Sequence, residues 1–151
     1  MGAGYDVTCS KCKFQKRFLL GSGMLFPSTY KEVTEKIKKG KYGEEWKSFL
    51  INTPGAVFDA EKELYQCSKC NNLVTDYNLS LYVSIDGQPP EHGYWCNWGY
   101  FDQKYKFVKS YIHRCPKCNS RMRKLNPDAS ASIPCPKCGA ELIIHGGILW
   151  D

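Results

Sequence analysis

The sequence is short of the residues that carry acid–base and hydrolytic chemistry, with three histidines in 151 residues. No Ser-centred motif or matched pair of acids accompanies them. The Gly-x-Gly at Gly21–Gly23 is not followed by Gly-Lys-Ser/Thr, which excludes a P-loop and leaves turn chemistry. No apolar run reaches about 18 residues, so no membrane-spanning helix is expected. The opening Met-Gly-Ala-Gly-Tyr-Asp has neither the basic start nor the apolar stretch of an export signal. Myristoylation would need Ser or Thr where Asp6 stands. These absences lead to the expectation of a chain kept in a reducing compartment, the cytoplasm, with no membrane partner.

Cysteine, by contrast, is abundant and ordered. Eight of the nine cysteines fall into four Cys-x-x-Cys pairs: Cys9/Cys12, Cys67/Cys70, Cys115/Cys118 and Cys135/Cys138. Such a turn presents two sulfurs on one side of a tight loop, and two turns complete the tetrahedral thiolate shell of a structural zinc site. Thioredoxin-type redox chemistry uses the motif once, at a helix start, whereas here it recurs four times between extended segments. Disulfide frameworks belong to exported chains. Sixteen residues separate Cys118 from Cys135, the spacing of a zinc ribbon. By elimination, Cys9/Cys12 is expected to pair with Cys67/Cys70 across fifty-four residues. Two Zn²⁺ are the expected cofactors; iron, which a four-thiolate shell also accepts, is the less favoured variant and would make the protein a rubredoxin-like electron carrier. The residue after each second cysteine must turn back sharply. Asn71, Asn119 and Gly139 tolerate the left-handed conformation, whereas Lys13 makes the first knuckle the least regular.

The formal charge of +6 overstates the basicity. A Zn²⁺ with four thiolates carries −2, so two sites would leave the protein near +2. The excess base lies at the metal-bearing ends, and Lys11, Lys69, Lys117 and Lys137 sit inside the knuckles. There it offsets the clusters' own negative charge.

Along the chain, residues 5–20 read as a hairpin around the first knuckle. Spacing of Tyr30, Val33 and Ile37 predicts a helix over about 28–39, capped by Ser28 and stopped at Gly40. A second helix, about 43–52, holds Trp46, Phe49 and Leu50 on one face. Pairs such as Glu32/Lys36 and Glu35/Lys39 mark a solvated face. Strands are predicted at Glu63–Gln66, Leu79–Ile85, Arg121–Leu125 and Glu141–His145, with a loop from Asp86 to Gly93. The aromatic cluster Tyr94, Trp95, Trp98, Tyr100, Phe101, Tyr105, Phe107 and Tyr111 is ambiguous between helix and strand. The closing Ile148, Leu149 and Trp150 are expected to tuck onto the body. The fold class is therefore α+β: small zinc-ribbon β-hairpins and antiparallel sheet with an inserted helical hairpin. The domains expected are residues 1–110, with the helical insertion at about 28–52, and a C-terminal ribbon at 111–151.

The two CPKC knuckles and the CPKCGAEL stretch resemble the zinc-ribbon and rubredoxin-knuckle superfamily. More closely, MGAGYDVTCSKCKF, GSGMLFP, two short helices, ELYQCSKCNN, LSLYV and a closing CPKC ribbon resemble an uncharacterised family of small bacterial zinc-ribbon proteins. Lys13 departs from that family's usual glycine. The resemblance covers nearly the whole chain and implies two bound metals without an activity.

Three function classes are compatible with these features. The preferred one is a structural or protein-interaction module, since the aromatics exceed what two ribbons need and suggest a partner or a second copy. The alternative is nucleic-acid binding through Arg114, Arg121, Arg123 and Lys124 near Tyr111 and His113. An enzyme is not expected, because closed four-thiolate zinc leaves no position for water. Cys96, four residues after His92 and between Trp95 and Trp98, reads as a buried apolar residue rather than a nucleophile. His113 and His145 flank knuckles that already hold four cysteines each.

Overall fold

Apolar–polar alternation on both sides of the first knuckle makes a hairpin. Strands β1 (Gly2–Thr8) and β2 (Gln15–Gly21) run antiparallel, with Gly2 opposite Gly21 and Thr8 opposite Gln15. Tyr5 faces Phe18 across this ladder, and with Val7 and Leu20 they are buried on one side. Burying side chains of this size contributes about 1.5–3 kcal/mol each. The structure, a computed structural model, describes residues 2–24, 26–88, 104–128 and 132–150. The chain is α+β and divides into two compact units. One unit combines Met1–Gly23, Lys62–Tyr77 and Ile112–Asp151; the other combines Met24–Glu61 and Asn78–Tyr111.

The first unit repeats one motif twice. β4 (Lys62–Cys67) and β5 (Leu73–Tyr77) form a second hairpin around the second knuckle. β8 (Met122–Leu125) comes after the third knuckle and pairs with β4, from Leu64 opposite Leu125 to Cys67 opposite Met122. β9 (Ile143–Trp150) comes after the fourth knuckle and pairs with β1, from Gly2 opposite Trp150 to Thr8 opposite Ile143. Two three-stranded halves result, β2-β1-β9 and β5-β4-β8, joined into one six-stranded sheet where Gly21 meets Lys62. The second ribbon lies between the two halves of the first in sequence. Both share a core in which Tyr5, Val7, Phe18, Ile133 and Leu142 pack with Leu64, Leu73 and Leu125.

Of the closing residues expected to tuck onto the body, Trp150 does so, whereas Leu149 stays exposed. Trp150 donates its indole N–H to the Leu20 carbonyl at 3.2 Å. A one-residue bulge lets β9 continue: Tyr5 faces Gly146 and Gly4 faces Ile148, leaving Gly147 unpaired at φ +110°. A bulge residue with positive φ is a position for glycine.

The second unit holds α1 (Phe26–Lys38), α2 (Glu44–Asn52) and a small sheet in the order β3 (Ala56–Phe58), β6 (Leu81–Ser84), β7 (Tyr105–Lys109). Phe26, Val33 and Ile37 form the buried side of α1. The helix starts at Phe26 with Pro27 in its first turn, so Ser28 lies inside the helix rather than capping it. At the other end, Gly40 N–H reaches the Ile37 carbonyl and Lys41 N–H the Lys36 carbonyl, a Schellman stop. Glu32 and Lys36 form the expected ion pair on the exposed side. In α2, Trp46 is the buried residue; it donates to the Leu79 carbonyl at 2.8 Å and meets Tyr111 edge-on at 5.1 Å. Tyr30 stacks on Phe58, centroids 4.4 Å apart.

Two expectations are corrected here. The strand predicted from Leu79 starts at Leu81, because Leu79 has φ +61°. Its N–H on the Asp59 carbonyl and its own carbonyl on Trp46 hold it there. The C-terminal segment 111–151 is also not a unit of its own. The chain does leave the second unit after Tyr111, but Ile112–Asp151 completes the sheet begun by residues 1–23 and 62–77. Tyr105 and Phe107 take the strand alternative. Tyr94, Trp95, Trp98, Tyr100 and Phe101, with His92, Cys96 and residues 89–93 of the predicted loop, lie outside the described residues.

A Cβ on Gly147 would meet nothing within 4 Å, so substitution there tests the backbone alone. Gly147→Ala is expected to lower stability by about 1–3 kcal/mol in urea unfolding of the metal-loaded protein. An unchanged midpoint would show that the bulge does not need the positive φ.

Candidate metal centres

Each Cys-x-x-Cys turn is built by the same two backbone bonds. The amide of the residue after the second cysteine donates to the first cysteine's carbonyl: Lys13 to Cys9, Asn71 to Cys67, Asn119 to Cys115 and Gly139 to Cys135. The first cysteine's own amide reaches the carbonyl one residue further on, in Phe14, Asn72, Ser120 and Ala140 respectively. All four turn residues have positive φ, between 58° and 75°. Lys13, at 61°, takes the same geometry as the others, so the first knuckle is as regular as the rest. Its lysine only makes that conformation more costly than asparagine or glycine would.

The eight cysteines form two clusters, Cys9/Cys12/Cys135/Cys138 and Cys67/Cys70/Cys115/Cys118, with all sulfurs of a cluster within 4.8 Å of one another. This corrects the expected pairing of neighbours along the chain. The first knuckle meets the fourth and the second meets the third, a nested arrangement. The reason lies in the ladders. β1 enters the first knuckle and pairs with β9, which leaves the fourth; β4 enters the second and pairs with β8, which leaves the third. Loop length was the only argument for neighbour pairing, and closure entropy grows by about 0.6 kcal/mol per doubling. Moving from separations of 17 and 55 to 45 and 123 costs about 1.5 kcal/mol in that term. Two ladders and a shared core outweigh it. A signal against neighbour pairing was present in the sequence. The motifs run CSKC, CSKC, CPKC, CPKC, and each cluster takes one of each kind.

The geometry fits a four-thiolate metal. Closest approaches are 3.5 Å for Cys9–Cys138, 3.6 Å for Cys12–Cys135, 3.4 Å for Cys67–Cys118 and 3.6 Å for Cys70–Cys115. A regular tetrahedron with Zn–S of about 2.3 Å has edges of about 3.8 Å. These sulfurs are well beyond the ~2.05 Å of a disulfide, and all eight are free. Backbone amides aim at them as they would at thiolates: Lys69 and Cys70 N–H approach Cys67 Sγ, and Lys137 N–H approaches Cys135 Sγ, each at 3.4 Å. The Asn72 side-chain amide lies 3.8 Å from Cys115 Sγ.

Before metal enters, the sulfurs of a cluster differ. The amide of Cys12, with that of Lys11 and the neighbouring sulfurs, pulls Cys9 down to about 6 against opposing burial. The Ser120 hydroxyl and amide take Cys118 to about 6. Burial, reinforced by the adjacent sulfurs, pushes Cys12 up to about 12. For Cys70 the Asn72 amide pulls downward, but burial and three sulfur neighbours outweigh it and raise the thiol to about 11. Within each cluster the thiols are therefore split: Cys9 and Cys135 in one and Cys115 and Cys118 in the other are lowered, whereas Cys12 and Cys70 are raised.

His113 and His145 are not in either cluster. Buried His113 stacks on Tyr65 at 3.9 Å, with Nδ1 3.4 Å from Asp76. His145 Nε2 lies 3.2 Å from Thr8 Oγ1. A buried residue with no place in the sequence-based reading is Gln66, which is 0% exposed. Its side-chain N–H group donates to the Asn71 carbonyl at 3.3 Å and the Pro134 carbonyl at 3.0 Å. Its oxygen accepts from Arg123 at 3.1 Å. A polar residue on the same face of β4 as Leu64 was the available clue.

No family model, curated protein or solved structure matches the chain.

Double substitutions discriminate the nested pairing from neighbour pairing. Cys12→Ser/Cys135→Ser disables one cluster, and native mass spectrometry is expected to show one metal per chain. Cys118→Ser/Cys135→Ser disables both and is expected to show none; the reverse result would restore neighbour pairing. Metal uptake also expels protons. A group with a raised pKa keeps its proton at pH 7.5 and must lose it to bind, so affinity falls as pH falls. Calorimetry of zinc uptake in buffers of different ionisation enthalpy is expected to show at least one proton released per cluster, from Cys12 and Cys70.

Proposed function

We propose that the two clusters are structural zinc sites and that the protein is a zinc-stabilised protein-interaction or scaffold module. The observation that carries the reading is the closure of both clusters: four cysteine sulfurs surround each centre, and a metal held by all four has no open position for a substrate. Cys9, Cys12, Cys135 and Cys138 would hold one ion, and Cys67, Cys70, Cys115 and Cys118 the other. Bound zinc supplies cross-links that fix the ribbons, not a Lewis acid. We assign no catalytic role to either centre.

The interaction reading is supported by the second unit. Among the described residues β7 is an edge strand of its sheet, and Phe107 and Val108 on it are about half exposed, at 53% and 44%. An edge strand with exposed apolar side chains is a site where another chain can add. A second reading, nucleic-acid binding, is favoured by one feature. Arg114 and Arg121 stand opposite each other in a β-bridge, a like-charge pair that an anion would relieve. Two other members of the expected patch are engaged: Lys124 pairs with Glu63 at 2.6 Å, and Arg123 bonds Gln66. That weakens it.

Metal analysis with a visible spectrum is expected to give two zincs per chain and no colour. A red protein would mean ferric four-thiolate iron and an electron carrier instead. Sedimentation over a range of concentrations is expected to show self-association that Phe107→Asp abolishes while both zincs are kept. Nucleic-acid affinity that drops steeply with salt and is lost in Arg114→Ala/Arg121→Ala would favour the second reading.

A further inference from the structure

Gln66 stands between the two clusters. It immediately precedes Cys67, and its carboxamide is held on three sides by groups belonging to both ribbons. The Asn71 carbonyl lies one residue past Cys70 in its own knuckle. The Pro134 carbonyl lies one residue before Cys135, in the other cluster. Arg123, in β8, fixes the oxygen end. Two carbonyls accepting from the nitrogen and a guanidinium donating to the oxygen define the amide's orientation, and full burial leaves no water to take over these bonds. The surrounding core joins the same parts: Cys9 and Cys135 of one cluster pack with Leu64, Leu73 and Leu125 of the other ribbon.

We propose that Gln66 couples the two clusters, so that filling one with metal raises the affinity of the other and both ions load as one cooperative step. The inference rests on the reading of both clusters as metal sites. Closing Cys67/Cys70/Cys115/Cys118 around an ion fixes the second knuckle, and with it the Asn71 carbonyl and the strand that carries Gln66. Gln66 then holds the Pro134 carbonyl, which sets Cys135 opposite Cys12. The chain entropy of ordering the junction is lost once, with the first ion, and the second binds an ordered site. Gln66 is a positioning residue here; its side chain is no ligand.

The test is zinc titration of the apo-protein followed by native mass spectrometry. Independent equal sites would put about half of the chains in the one-metal state at half saturation. The wild type is expected to pass almost directly from no metal to two. Gln66→Met keeps the volume and removes the bonds; it is expected to bring the one-metal state to about half or more while still taking two zincs at saturation. Arg123→Met, which leaves Gln66 in place but frees its oxygen, should move the same way by less. In a second arm, Cys9→Ser/Cys12→Ser removes one cluster, and the remaining site is expected to bind about 10-fold more weakly. A wild type with half or more of its chains carrying one zinc overturns the coupling, and so does an unchanged affinity in the second arm. Failure to bind zinc at all overturns the metal reading and the coupling with it.

Discussion

A four-thiolate shell can form only where two Cys-x-x-Cys turns face each other, and in this protein two antiparallel ladders bring them together. β1 against β9 and β4 against β8 each deliver one turn from either side. That constraint shapes the rest of the first unit. The strand entering a CSKC turn is the middle strand of its half of the sheet because it must pair both with the strand leaving that turn and with the strand leaving the partner CPKC turn. The ladder places the sulfurs, and an ion bound there would close a loop of 45 or 123 residues that hydrogen bonds alone would hold weakly.

Nesting has an energetic consequence. Two ribbons joined end to end would each have a small core of their own, too small to be stable without metal. Here the second ribbon interrupts the first, so Leu64, Leu73 and Leu125 of one pack with Tyr5, Phe18 and Ile133 of the other. Buried Gln66 is the polar counterpart of that sharing. An unpaired buried amide would cost about 1–3 kcal/mol, and its three bonds remove that cost only while both ribbons are in place. The helical unit obeys different rules. Helix periodicity, a Schellman stop at Gly40 and aromatic packing of Tyr30 on Phe58 account for it without any metal.

Much of this was legible in the sequence. The eight cysteines, their grouping into four turns and the left-handed residues after Cys70, Cys118 and Cys138 are local chemistry, fixed by spacings of a few residues. Helices over Phe26–Lys38 and Glu44–Asn52 arise from period and stop signals of the same short range. Leu79 was not legible, because its left-handed backbone is imposed by Trp46 and Asp59. Nor was Gln66, whose partners lie five, 57 and 68 positions away.

The sequence by itself determined that this chain makes two four-cysteine clusters, since each turn is built from the bonds between neighbouring residues. Which turn meets which was decided only by the tertiary structure. Loop closure distinguishes near from distant partners by about 1.5 kcal/mol, while strand pairing and core packing act on residues more than a hundred positions apart. The order CSKC, CSKC, CPKC, CPKC speaks against neighbour pairing but does not separate nested from interleaved pairing; the ladders do that.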